Sequence, residues 1–184
     1  MKFLFFDIEC ANTTSNVCKM CSFGYVITDE NFSIIEKNDI LMDPQNPFDY
    51  YFFKPGSKIT LAYNPSEYKK QPPFDHKYEE ILNVFNRVDV ILGFDINIDI
   101  KYLKDSCTRY NLAIPELKGF DVREILKKHE ITGKLHQIAE RYLPLDSNTV
   151  QHKSDDDAML TARLLEYICK TKGKSLLELV KISV

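Results

Sequence analysis

The chain has 184 residues, 44% hydrophobic and 28% charged, rich in Phe and Tyr and without a low-complexity tract, which is enough to bury one sizeable core and predicts a single domain over 1–184. A formal net charge of −3 excludes a global attraction to nucleic acid or to an anionic membrane, so an anionic partner requires local basic patches or bound cations. The opening apolar run, Phe3 to Phe6, is too short for a signal-peptide core or a membrane span, and five cysteines, an odd number, argue for reduced thiols and a cytoplasmic location.

Residues 2–8, about 21–28 and about 33–42 read as three successive strands rich in Phe, Ile, Val and Tyr, joined by polar turns, which predicts an antiparallel meander. Cys18 and Cys21 form a C-x-x-C, but with only Cys10 nearby as a third ligand they read as small apolar residues entering the second strand rather than as a zinc site. Residues 43–74 hold six of the eight prolines, predicting an irregular loop or lid where function can vary. An amphipathic helix follows at about 76–86, with Tyr78, Ile81, Leu82 and Phe85 at helical spacing, and then a short strand in VDVILGF. A helix after 95 carries Tyr102 and Leu103, and shorter helices fit 121–129 and 134–142. From Ser154 to about Cys169, Leu160, Thr161, Leu164, Leu165 and Ile168 form one stripe. LLELVK in the tail fits a last short helix. The architecture expected is α/β, a mixed sheet with three antiparallel strands and then parallel ones, flanked by helices.

Three groups of acids stand at element ends. Asp7 and Glu9 close the first strand; period-2 alternation puts them on one face, about 6.5 to 7 Å apart along the backbone. Two carboxylates there repel one another and resist desolvation unless a cation is near, although the spacing fits equally a strand that emerges into solvent. Asp157 projects at the top of the last helix's apolar stripe and so faces the sheet. As an alternative, Ser154 as N-cap makes a capping-box-like pair with Asp157, while Asp155 and Asp156 favour the helix dipole. Asp99 shares a helical face with Tyr102, Leu103 and Ser106, and Asp95 is placed to cap that helix; a solvated flank is the alternative. Inward acids from three remote segments together point to one shared metal-binding site.

The blocks FFDIEC, GFDINIDIKYL and HKSDDDAMLTARLL resemble the three motifs of the DnaQ-like (DEDDh) 3′-to-5′ exonuclease superfamily, and the likeness spans most of the chain. By position, Asp7 and Glu9 fall on its D-x-E, Asp99 on the acid of the second motif, and His152 and Asp157 on its H-x4-D. The resemblance implies a ribonuclease H-like fold and hydrolysis at a nucleic-acid 3′ end, single-stranded and with DNA favoured, with a DNA polymerase as candidate partner. It implies two divalent ions, Mg²⁺ or Mn²⁺, held by Asp7, Glu9, Asp99 and Asp157, with His152 as general base. Carboxylates are suitable hard ligands for such ions, and an imidazole, with an ordinary pKa of about 6.5, suits proton abstraction at neutral pH. His76, His129 and His136 read as helix-surface residues. The sequence departs from the family where Gly93, Phe94 and Asp95 replace G-H-N, and where the Pro-rich segment replaces a short Gly-Ile-Thr region.

Candidate phosphate-facing cations are Lys54, Lys58, Lys69 and Lys70, with Lys127, Lys128 and Lys134; Tyr63, Tyr68 and Tyr50 to Phe53 are candidates for base stacking. Two other classes fit the acids: a different metal-dependent phosphohydrolase, disfavoured by Glu9 where a D-x-D is wanted, and a non-catalytic module binding nucleic acid or a polymerase.

Overall fold

The structure, a computed structural model, describes residues 1–12, 17–53, 60–144 and 152–181. Its five-stranded sheet has the order β3-β2-β1-β4-β5, built from β1 (Phe3–Cys10), β2 (Met20–Thr28), β3 (Ile34–Leu41), β4 (Val90–Gly93) and β5 (Gly119–Asp121). β1 pairs antiparallel with β2 and β2 with β3, while β4 joins β1, and β5 joins β4, in parallel. The expected mixed sheet is therefore present. β5 was not anticipated, since three residues are too few to show a period.

The helices are α1 (Pro65–Lys69), α2 (Phe74–Asn86), α3 (Ile96–Arg109), α4 (Val122–Lys127), α5 (Leu135–Tyr142), α6 (Ser154–Lys172) and α7 (Leu176–Lys181). The Pro-rich region, read as irregular, carries α1 and a 3₁₀ turn at Tyr50–Phe53. Asn64 and Glu67 form a capping box around Pro65, the fixed φ of which suits a first helical turn.

Strand alternation divides the core between the two faces of the sheet. Leu4, Phe6 and Ile8 pack with α2 and α3 through Tyr78, Ile81, Phe85, Ile100 and Leu103. Phe3 and Phe5 pack with α6 through Ala158, Leu164, Leu165 and Ile168. β1 is apolar on both faces because it is central. Asp7 and Glu9 continue the face of Phe3 and Phe5 and so emerge under α6.

The approach of α6 depends on Gly24. A methyl group there would lie 2.0 Å from the backbone nitrogen of Asp155 and 2.1 Å from the carbonyl carbon of Ser154. Only a residue without a Cβ lets the helix rest this closely on β2, and Gly24 is paired in register with Asp7. The helix start is thus seated beside the acidic end of β1.

Two cysteines depart from the expectation of reduced thiols. Cys10 and Cys18 form a disulfide with Cα atoms 5.9 Å apart, leaving Cys21, Cys107 and Cys169 free and buried. The register shift between Glu9 and Cys10, with Ala11 N donating to Lys19 O, folds the connection back and brings the two side chains together. A spacing of eight residues does not reveal such a bridge. Among the described residues no helix is long and apolar enough to cross a membrane.

Candidate active site

The acidic end of β1 opens on a cavity of about 730 Å³, its walls including Asp7, Glu9, Arg123, His136, His152 and Asp157. Asp157 is delivered by the first turn of α6 and is 5% exposed, as the stripe predicts. The helix begins differently from the expectation. Lys153 is the N-cap residue, and its carbonyl accepts from the amides of Asp156 and Asp157. Ser154 is the first helical residue, its hydroxyl turned inward onto Asp39 and Ser22, so no capping box forms with Asp157. Asp155 and Asp156 do not simply face solvent: Lys37 pairs with both, and Lys153 approaches Asp155 at 2.9 Å.

Asp99 comes from the first turn of α3 and is also 5% exposed. It lies behind the cavity wall, where its Oδ1 accepts a hydrogen bond of 3.2 Å from the backbone N–H of Ile8, between the two β1 acids. Asp95 occupies the N-cap position in a left-handed conformation and makes no side-chain cap. Its carboxylate instead takes both contacts from Arg123 Nη1, at 2.8 and 2.6 Å. The acid standing where an amide was expected is therefore neutralised by an arginine that also lies 5.8 Å from the centre of the Phe94 ring.

The electrostatics of the acids register their convergence. The Asp7 carboxyl is pushed well above the usual range by burial, and further by the charges of Asp157, Glu9 and Asp39. Glu9 is raised by burial, then Asp157 and Asp39. For Asp99 burial again dominates, with Asp7 and Glu9 adding repulsion that the Ile8 hydrogen bond partly opposes. Three segments thus place their charges within mutual reach, an arrangement that is costly without a compensating cation.

His152 precedes α6 in a left-handed conformation, its carbonyl accepting from Ala62 N. Its Nδ1 stands 3.5 Å from Glu9 Oε1. Glu9, His152 and Asp157 each offer a ligand atom, all within 4.8 Å of one another. Divalent cations fit this donor set of hard oxygens with one imidazole. They fit also because Asp157 Oδ1 is buried and has no aligned hydrogen-bond partner.

His136, read as a surface residue, belongs to the cavity. Its Nε2 lies 2.6 Å from Asp157 Oδ1, too poorly aligned for a hydrogen bond, and its ring centre is 6.1 Å from that of His152. The available signal was its position in the first turn of α5, three residues before the buried Ala139 and so near that helix's buried side. Asp39 was likewise missed, because its position becomes meaningful only through strand register. Of the candidate nucleic-acid contacts, Lys134 lines the cavity. Tyr68 and Phe52 are instead buried in a small cluster with Cys21 and Leu61, while Tyr50 is 71% exposed. Lys54, Lys58 and the Tyr51 side chain lie outside the described residues.

A family model, RNase_T, described as exonuclease, matches residues 4–165. Similar solved structures include a 3′-exonuclease in 3′-end-specific recognition of a histone mRNA stem-loop, with a TM-score of 0.72 and 13% identity over 95% of this chain and 84% of that one. The nuclease domain of 3′hExo, a DEDDh family member bound to rAMP, aligns with a TM-score of 0.70 and 14% identity over 92% and 91% of the two chains. E. coli exonuclease I in its zinc-bound complex with single-stranded DNA gives a TM-score of 0.76 at 16% identity. That alignment covers 98% of this chain and 42% of the longer enzyme. At these identities the likeness is one of fold. No curated protein sequence matches the chain.

Proposed function

We propose, for a chain that belongs to the RNase_T exonuclease family and has the DnaQ-like, ribonuclease H-type fold, that it is a single-domain 3′-to-5′ exonuclease working with two divalent cations. The observation that carries this reading is the convergence of acids from three remote segments: Asp7, Glu9 and Asp157 line one cavity with His152, and Asp99 lies just behind its wall against the Ile8 amide. Asp7, Glu9 and Asp157 would hold one Mg²⁺ or Mn²⁺ ion, and Asp7 with Asp99 the other. Bound there, such ions supply the positive charge that the scissile phosphate and the departing 3′ oxygen require.

The protein's own residues do the remainder. His152, at the cavity wall, takes the proton of the attacking water; Glu9 Oε1, 3.5 Å from Nδ1, stands beside the ring and orients it. The water oxygen bonds to phosphorus, the bond to the 3′ oxygen breaks, that oxygen takes a proton from solvent to become a 3′-hydroxyl, and a nucleoside 5′-monophosphate leaves a strand one residue shorter. Lys134 faces the substrate backbone from α5, and the Asp95–Arg123 pair stands where the family places an amide, so the terminal nucleotide meets an ion pair there. Single-stranded 3′ ends, DNA over RNA, and a polymerase as partner are retained from the family resemblance, while the Cys10–Cys18 disulfide removes the thiol argument for a cytoplasmic location.

The test is a Mg²⁺ and Mn²⁺ titration with 3′- and 5′-labelled single-stranded DNA and RNA. Cation-dependent, progressive shortening from the 3′ end is expected. Internal cuts, shortening from the 5′ end, release of phosphate from small esters alone, or binding without turnover would each refute the proposal.

A further inference from the structure

We propose that Asp39 is a positioning residue for the carboxylate site: it clamps the first turn of α6 onto the sheet and adds its charge to the field that draws cations in. The inference rests on the nuclease reading above and concerns an acid outside all three motifs.

Strand register places Asp39 there. Asp7 pairs with Gly24 across β1 and β2, and Gly24 pairs with Asp39 across β2 and β3. Residues directly opposite one another share a face, so the two carboxylates flank Gly24 on the side covered by α6, about 10 Å apart by two strand spacings. The missing side chain at Gly24 leaves a trench, and the backbone of Ser154 and Asp155 lies in it.

Asp39 closes that trench. Ser154 Oγ donates to Asp39 Oδ1 at 2.9 Å, and Ser22 Oγ donates to the same oxygen while touching Ser154 Oγ. Both serines are buried, Ser154 completely. One hydroxyl belongs to the helix three residues before Asp157, and the other to the strand residue paired with Glu9. A single carboxylate oxygen therefore ties together the supports of two site acids.

The choice of an acid is informative. Hydroxyl donors, the two serines and the nearby Tyr63, need only an acceptor, which an amide would provide at lower desolvation cost. Lys37, the nearest cation on β3, is engaged with Asp155 and Asp156, and among the described residues Asp39 has no ion-pair partner. Asp39 lies only two strand spacings from Asp7 on the same face, close enough for its charge to act on a cation held there. A buried charge without a cationic partner, two strand spacings from Asp7, is a liability in the metal-free protein and an asset once cations bind.

The experiment is calorimetric titration of Mn²⁺ into the chelator-stripped full chain as wild type, D39N, D39A and S154A. Melting temperatures and steady-state kinetics on a 3′-labelled oligonucleotide accompany it. D39N keeps an acceptor and removes the charge, so cation affinity should fall about 10-fold, within the range for residues supporting metal ligands. Its kcat at saturating Mn²⁺ and its KM for the oligonucleotide should stay near wild type. S154A keeps the charge and loosens the clamp, so kcat at saturating Mn²⁺ should fall at least 10-fold; D39A should combine both losses. Wild-type cation affinity in D39N together with wild-type kcat in S154A overturns the inference, and S154A settles the clamp even if D39A does not fold. A wild-type chain that neither binds Mn²⁺ through Asp157 nor degrades the oligonucleotide overturns the nuclease reading instead.

Discussion

Replacing Gly24 by alanine tests how closely the proposed chemistry depends on the seating of α6. The added methyl would meet Asp155 N at 2.0 Å, Ser154 C at 2.1 Å and Ser154 Cβ at 2.6 Å. Nonbonded carbons rest at about 3.5 to 4.0 Å, so the helix start must retreat by roughly 1.5 Å. The obstructing atoms are mainly backbone, and no rotamer change relieves them. Overpacking of this kind costs about 1 to 3 kcal/mol, which the buried stripe from Leu160 to Ile168 should survive. Asp157 moves with the helix, and a displacement of about 1 Å at a reacting centre costs on the order of 100-fold in rate. G24A should therefore fold, melt at a lower temperature, need more Mn²⁺ for half-maximal rate, and turn over at least 100-fold more slowly at saturation. G173A is the control: Gly173 ends α6 at φ 62° with nothing within 4 Å of an added Cβ, so it should cost about 1 kcal/mol of stability and leave the rate intact. A G24A protein with wild-type turnover and Mn²⁺ requirement would refute the reasoning.

Asp7→Asn should abolish hydrolysis yet stabilise the chelator-treated protein. Unit charges about 7 Å apart at an effective dielectric near 20 repel by about 2 kcal/mol, and a drop in melting temperature in chelator would contradict this. Metal-free stability should also fall as pH rises. Asp7, Glu9 and Asp99 have folded pKa values raised above their unfolded ones, so the native state binds more protons from the ordinary carboxylate range upward, and that stabilisation is lost as pH passes the raised values. Saturating Mn²⁺ should flatten the profile, and denaturant melts across pH 4 to 8 will measure both curves. His152→Ala should lower kcat by about 10² to 10⁴-fold with cation binding retained in calorimetry; loss of the cation would make His152 a ligand instead, and an unchanged kcat would remove it as base.

The parts of the site legible in the sequence are those governed by a local period. Alternation along β1 put Asp7 and Glu9 on one face, and helical spacing turned Asp157 toward the sheet and Asp99 toward β1. The rest is set by contacts between remote segments. Nothing around Asp39 in the strand sequence KNDIL marks it, because its neighbours Gly24 and Ser154 are brought to it by register and packing. His136 lies beside the buried side of α5, three residues before Ala139, but the helix pattern says nothing about which remote groups it meets there. Asp95 was legible as the start of α3, but its exchange of a capping role for Arg123 follows from a left-handed backbone that orients the carboxylate toward α4. The Cys10–Cys18 bridge depends on a strand irregularity that composition does not encode.

The location of the acids on a central strand also bears on when the site comes into being. β1 is bordered on one side by β2 and on the other by β4, and the Ile8–Asp99 and Ser22–Ser154 contacts span 91 and 132 residues of chain. Closures of that length come late in folding. A nascent chain still lacking α6 has neither Asp157 nor the helix turn over Gly24, so the acids from the three segments meet only after synthesis has passed the last motif.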